Sequence, residues 1–195
     1  MRVTISGLSA VGTTSTAKGL AAVLGWPIST YTLRDLAQER GVSFESIHQE
    51  LKKHDPAVDH DLDRHHIANL KENSKLIVAT DLAGWLDDPK MCDTLGVTPP
   101  QIDFKIWLDA NPAIRAKRFF AREQGSEAEL NQYDQEIVEH YQALYGVDIL
   151  KHDHFNLCLT TDQYSLEQVI ELCRQAIEAK LTDKGTTDKG TNEKV

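Results

Sequence analysis

The chain predicts an α/β fold in which a parallel sheet is covered by helices on both faces, and three observations carry that reading. Five short β-prone runs, at 3–6, 27–29, 76–80, 104–108 and 155–160, are separated by stretches long enough for helices. Such strand–helix alternation argues for parallel pairing through helical crossovers. The first run leads directly into Gly7-Leu-Ser-Ala-Val-Gly12-Thr13-Thr14, a glycine loop opening onto helix-forming residues. The helix starts are also marked. Asp55-Pro56 and Asn111-Pro112 offer a cap followed by proline at the first helical position. Ser126 with Glu129, and Ser165 with Gln168, have capping-box spacing.

In chain order, the loop comes first and says most. Gly7 and Gly12 let the backbone wrap an anion, and the amides of Gly12, Thr13 and Thr14 converge at a helix N-terminus. The spacing is that of the Walker A pattern, G-x-x-x-x-G-K-[ST], in the strand–loop–helix context it requires. Thr14 stands where a hydroxyl would ligand Mg²⁺, and Thr13 stands at the lysine position. Threonine cannot supply the charge that neutralises β/γ-phosphate oxygens. Lys18, one helical turn beyond Thr14, is a candidate replacement, set against the plainer reading of a surface helix lysine.

Composition bounds the rest. The 195 residues suit one domain with a sizeable core, and 41% hydrophobic with 26% charged residues is ordinary for a globular chain. A formal net charge of −9 argues against coating nucleic acid, which needs a basic face. Cys92, Cys158 and Cys173 are scattered and lack metal-ligand spacing, as expected of reduced thiols. No apolar run approaches membrane-spanning length. A cytoplasmic monomer acting on small molecules is the expectation. From Lys180 the pattern collapses into a repeated Thr-Asp-Lys-Gly-Thr, so 181–195 is expected to be a disordered polar tail after a domain spanning 1–180.

Several motifs then line up in one order: Thr4-Ile-Ser-Gly7, Leu33-Arg-Asp-Leu-Ala37, Asp59 with Asp63 and Arg64, Leu82-Ala-Gly-Trp85, Arg115-Ala-Lys-Arg118 with Arg122, and Tyr141 with Tyr145-Gly-Val-Asp148. Together they resemble the archaeal-type cytidylate kinases, a branch of the P-loop nucleoside monophosphate kinases. The resemblance covers about nine-tenths of the chain. It implies a five-stranded parallel sheet, an acceptor-binding segment at about 30–73 and a helical lid at about 115–145. It also implies phosphoryl transfer from ATP to CMP or dCMP, with Mg²⁺.

By that resemblance Gly7, Gly12, Thr13, Thr14 and Arg115 would bind ATP, with Thr14 on the Mg²⁺. Arg34, Asp59, Asp63, Gly84 and Trp85 would form the acceptor site, and Arg118 and Arg122 would act in catalysis. Arg115, Arg118 and Arg122 share one helical face, which could equally be solubilising charge. Phosphoryl transfer is mostly positioning and charge stabilisation, so the cations decide. Asp81, Tyr133 and His140 stand where the resemblance places arginines. Losing one donor from such a cage costs about 2.7–4 kcal/mol of transition-state stabilisation. The alternative is therefore a catalytically impaired nucleotide-binding protein, acting as a sensor or through a partner. The segment 54–66 is rich in Asp and His, and Asp61 with His65 could hold a metal, although the kinase resemblance already explains its spacing.

Overall fold

The computed structural model describes residues 1–29, 31–52, 56–123 and 126–187, leaving aside the side chains of 48, 51–52, 122–123 and 183–187. Four parallel strands form the sheet: β1 (Arg2–Ser6), β2 (Leu76–Ala79), β3 (Phe104–Asp109) and β4 (Leu157–Thr160), in the order β2-β1-β3-β4. The glycine-loop strand is thus central, with Ile5 opposite Ala79 on one side and Ile106 on the other. The expected fifth strand at 27–29 is reduced to a single bridge, Ile28 to Ile77. Ser29 donates to the Ile77 carbonyl at 2.8 Å and Ile77 to the Pro27 carbonyl at 3.0 Å. Pro27 has no N–H to give, so this short run cannot extend a ladder.

Eight helices accompany the sheet among the described residues: α1 (Thr13–Leu24), α2 (Leu33–Glu39), α3 (Phe44–Lys52), α4 (Pro56–Glu72), α5 (Pro89–Leu95), α6 (Pro112–Glu123), α7 (Glu127–Tyr145) and α8 (Leu166–Thr187). Alternation along the strands builds two cores. Val3, Ile5, Ile77, Ile106 and Leu108 face α1 and α8, packing on Leu20, Val169 and Cys173. Leu76, Val78 and Trp107 face the opposite side, onto Ile67, Leu70, Met91 and Tyr145 from α4, α5 and α7. β2 is apolar at all four positions, whereas β1 carries Thr4 and Ser6 on its second face, both fully buried, and β4 at the edge is only partly covered. A smaller cluster of Leu36, Ala37, Ile47 and Val58 holds α2, α3 and α4 together.

The capping signals read from the residues operate as expected. Ser126 accepts from Glu129 N–H while the Glu129 carboxylate accepts from Ser126 N–H, and Ser165 and Gln168 exchange the same pair of bonds. Asn111 Oδ1 accepts from Ala113 N–H at 3.0 Å, opening α6. Pro56 is the first residue of α4, whereas Asp55 lies outside the described residues. Helix α8 continues to Thr187, past Lys180 and into the segment expected as a tail. Arg174 bridges Glu171 and Glu178 on that helix, and Thr182 Oγ1 donates to the Glu178 carbonyl at 2.7 Å. Residues 188–195 lie outside the described residues.

Candidate active site

Residues 7–12 leave the carboxyl end of β1 and turn into the N-terminus of α1, as the glycine spacing requires. Ala10 and Gly12 both have positive φ, 65° and 101°, which turns the backbone back on itself. Gly7 is there for space. A Cβ on it would lie 2.5 Å from the Leu108 carbonyl oxygen and 2.6 Å from Val11 Cγ2. The loop encloses a cavity of about 170 Å³ lined by Leu8–Ala10, Gly12–Ser15, Asp81 and Tyr133. Thr13 and Thr14 are both in that lining, and exposed Lys18 is not. Asp81 follows β2, and Tyr133 is on α7, so the end of that strand and that helix both border the loop cavity.

Beside it lies a second cavity of about 320 Å³, between the loop, α6 and the start of α8. Arg118 forms its wall. Its guanidinium donates to Thr161 Oγ1 at 2.9 Å and, more weakly, to the Val11 carbonyl at 3.4 Å, while Thr161 Oγ1 donates to the same Val11 carbonyl at 3.0 Å. Tyr164, Leu166 and Val169 supply the apolar remainder. Arg115 takes a different path. It is buried, donates through Nε to the Ser9 carbonyl at 2.8 Å, and pairs with Asp134 at 2.5 Å. That arginine ties the loop to α7. The side chain of Arg122, the third of the stripe, lies outside the described residues.

The acceptor-side residues expected from the sequence are not gathered in one open pocket. Asp59 and Asp63 are buried between α4 and α7. Asp59 pairs with His140 at 3.1 Å, and the Tyr145 hydroxyl donates to Asp63 Oδ2 at 2.6 Å. Burial is the main reason that the Asp63 carboxyl rises to about 7, with the Asp59 charge adding to it and the Tyr145 bond opposing. The bond to Asp59 pushes the His140 imidazole above its ordinary value against a burial penalty. Tyr141, partly buried against the α4–α7 core, is held well above the usual phenol range by desolvation and then by Asp81, Asp63 and Asp59. Nearby His66 is pushed down to about 4, mainly by burial, and its Nδ1 lies 3.0 Å from Ser29 Oγ.

Arg34 is exposed at the start of α2, with its guanidinium 4.4 Å above the Phe44 ring. Trp85 is a core residue. Its indole is 6% exposed and packs edge-on against Trp107, His154 and Phe155. Gly84 lets that cluster close, because a Cβ there would lie 2.3 Å from the Phe155 ring, and its N–H donates to Ser6 Oγ. The Asp61–His65 metal idea finds other partners: Asp61 binds Arg40 and Arg64, and His65 stacks on Tyr31. Among the described residues no group of three or more His, Cys, Asp or Glu could hold a metal ion.

Residues 3–139 match a family model described as an AAA domain. The cytidylate kinase of Pyrococcus abyssi is 30% identical over 182 residues, covering 90% of this chain and 93% of that protein. The cytidylate kinase of Thermococcus kodakarensis is 30% identical over 198 residues, covering 98% and 94%. The chain belongs to the archaeal-type cytidylate kinase family. Its P-loop kinase fold is also that of a deoxyadenosine kinase from M. mycoides with bound dATP, at TM-score 0.60 and 16% identity over 91% of this chain and all of that one. A shikimate kinase from Bacteroides thetaiotaomicron gives 0.58 and 16% over 91% and 98%. At such identities the likeness speaks for the fold alone. No described helix is long and apolar enough to cross a membrane.

Reasoning from residues missed Thr161, Asp134 and the Asp63–Tyr145 bond. Thr161 carries the weak signal of a hydroxyl directly after a strand, and Tyr145 sat inside a recognised motif with no role assigned. Asp134 carried none, because its meaning depends on Arg115 nineteen residues earlier.

Proposed function

We propose that the protein is an ATP-dependent kinase of CMP or dCMP, a cytoplasmic monomer acting on small nucleotides and not on nucleic acid. The observation that carries this reading is the pair of neighbouring cavities around the glycine loop, which share Ala10, Gly12 and Ser15 in their linings. One is lined by backbone and hydroxyls suited to phosphates, the other by Arg118, Thr161 and apolar residues suited to a nucleoside. Gly7, Gly12, Thr13 and Thr14 hold the triphosphate in this reading, and Arg118 borders the donor nucleoside. Arg115 keeps the loop and lid in register. Arg34 meets the acceptor phosphate as the acceptor segment closes, and Asp59 and Asp63 define the floor beneath it. Mg²⁺ fits the site's hard oxygen donors and, when bound, neutralises charge on the transferred phosphoryl.

One observation favours a second reading, binding without turnover. The loop cavity has Thr13 at the lysine position, Asp81 and Tyr133 in its lining, and Arg115 already paired with Asp134. A coupled assay with ATP, Mg²⁺ and each nucleoside monophosphate separates the two. Turnover of CMP or dCMP above other acceptors supports the kinase. Calorimetric ATP and CMP binding without product supports the non-catalytic protein, and no nucleotide binding by either measurement removes both.

A further inference from the structure

We propose that Asp59, Asp63, His140 and Tyr145 form a proton-operated clasp between α4 and α7, closed while the cluster keeps its protons and released as it loses them. In the nucleotide reading Asp59 and Asp63 floor the acceptor site, so release would open that floor. The clasp itself stands without that reading.

The two helices meet through a face that is otherwise apolar. Ile67 and Leu70 of α4 share one core with Ile137, Val138, Leu144 and Tyr145 of α7. At its edge α4 carries Asp59 and Asp63, one turn apart and both buried. Each has a partner on α7. His140 Nε2 lies 3.1 Å from Asp59 Oδ2, and the Tyr145 hydroxyl donates to Asp63 Oδ2 at 2.6 Å. His60 packs on the Tyr145 ring with centroids 5.7 Å apart, and Tyr141 belongs to the same cluster, facing Asp59 and Asp63 as well as Asp81 and Tyr133. Other charged groups of these helices are engaged elsewhere. Arg64 reaches the Leu95 carbonyl and Asp61, His65 stacks on Tyr31, and His66 lies against Ser29. Glu136 and Glu139 accept from Gln132 and Gln135 on the exposed face of α7. Arg115 pins Asp134 earlier on α7, so release frees the helix beyond that anchor.

Proton accounting gives the direction. Burial raises the Asp63 carboxyl to about 7, and Asp59 raises the His140 imidazole above its ordinary value. With Asp63 protonated and His140 charged, the positive imidazole balances the Asp59 carboxylate and the junction carries no net charge. A proton lost from Asp63 leaves one uncompensated negative charge between the helices, and a proton lost from His140 leaves a second. Uncompensated charge in such a place is costly, and separation that admits water relieves it. Both groups hold their protons more tightly in the closed junction, so each proton released favours opening. For Asp63 that linkage acts between 3.8 and about 7, and for His140 it acts above 6.5. The junction is therefore firm in mild acid and loosens through neutrality. An arginine at position 140 would keep its charge throughout this range, whereas an imidazole does not.

The test places spin labels on Ala68→Cys and Ala143→Cys, both at exposed positions of α4 and α7, in full-length protein whose exposed Cys158 is replaced by serine. Double electron–electron resonance then reads the distance between the helices at pH 6 and pH 8, and circular dichroism checks the fold at each. The ratio of the longer to the shorter distance should rise roughly tenfold or more over that range. In the same background Asp63→Asn should keep most of the shorter distance at pH 8, and His140→Gln should show the longer one already at pH 6. Nuclear magnetic resonance titration of the imidazoles in unlabelled wild type, with His140 assigned by its absence in His140→Gln, needs no folded variant beyond that assignment and should give a midpoint above 6.5. An interhelical distance unchanged between pH 6 and pH 8 overturns the clasp, as does a His140 midpoint at or below 6.5. Equal opening of Asp63→Asn at both pH values identifies a static contact and overturns it too. No nucleotide enters these measurements, so their failure leaves the nucleotide reading to the coupled assay.

Discussion

The glycine-loop side of the molecule and the junction between α4 and α7 are built by different means. Around the loop the work is done by backbone: positive φ at Ala10 and Gly12, and carbonyls of Ser9 and Val11 that fix Arg115 and Arg118. Between α4 and α7 it is done by titratable side chains, the Asp59–His140 pair and the Asp63–Tyr145 bond. The first arrangement should answer to steric change and hardly to pH. The second should answer to pH and to single-atom changes. Substitutions in each half can break that contrast.

The largest effect is expected at Gly7. Its missing Cβ faces a backbone carbonyl 2.5 Å away, which cannot rotate aside. Gly7→Ala should displace the loop, abolish ATP-analogue binding and lower stability by about 1–3 kcal/mol or more. Gly84→Ala is the control, since the obstacle there is the Phe155 ring, a side chain with some freedom. Thermal melting and calorimetry of both variants check this. Equal behaviour would mean that the loop is softer than its close contacts suggest.

Next comes pH, through Asp63. Its carboxyl is about 7 in the folded protein against 3.8 in the unfolded chain, so the folded state holds the extra proton between those values. Stability from this group is complete below pH 3.8 and is lost as pH rises toward 7. His66 runs the other way. At about 4 folded against 6.5 unfolded, it costs stability as pH falls from 6.5 to 4. His140 is raised, so its contribution is lost as pH rises above 6.5, overlapping only the top of this window. Asp63→Asn keeps an acceptor for Tyr145 and removes one of two opposing slopes. Urea unfolding from pH 4 to 7 should show the variant gaining on wild type as pH rises, by up to about 4 kcal/mol from a shift of this size. Parallel profiles would show that Asp63 titrates normally.

Much of the glycine-loop half is legible in the sequence. Glycine spacing after an apolar run is a local signal, and so were the capping pairs at Ser126 and Ser165. The fifth strand failed because a three-residue run led by proline cannot sustain pairing, which the apolar pattern alone does not reveal. Trp85 belongs to the acceptor site by resemblance alone. Its burial against Trp107 and Phe155 depends on residues 22 and 70 positions away. The same limit hid Arg115–Asp134: an arginine stripe looks identical in sequence whether it faces phosphate or a carboxylate from the next helix. Local chemistry is legible, and partner choice across the fold is not.

Arg34 tests the acceptor half at intermediate size. It is exposed and stacked on Phe44, outside the loop cavity, so a phosphate role requires the acceptor segment to bring it inward. A charge-assisted contact is worth roughly 1.5–3 kcal/mol. Arg34→Ala should therefore weaken CMP binding by about one to two powers of ten, affect cytidine less, and leave ATP-analogue affinity unchanged. Indifference of CMP affinity would remove Arg34 from the site.

The smallest expected effect is at the first turn of α7. Ser126 and Glu129 satisfy two orphan N–H groups of α7, and a lost N-cap typically costs about 1 kcal/mol. Ser126→Ala should fray that turn, but the fraying has a limit. Asp134 lies two turns further along the same helix and is pinned by buried Arg115, which is itself fixed to the Ser9 carbonyl of the loop. Hydrogen exchange should therefore quicken at Glu129 and Leu130 N–H, with no change beyond Asp134 and none in ATP-analogue affinity. Faster exchange through His140 and Tyr145 would mean that the lid helix unfolds as one unit and that the Arg115 anchor does not divide it. The two halves of the molecule would then be coupled along α7, and the contrast between a steric donor side and a titratable acceptor side would have to give way to a single cooperative lid.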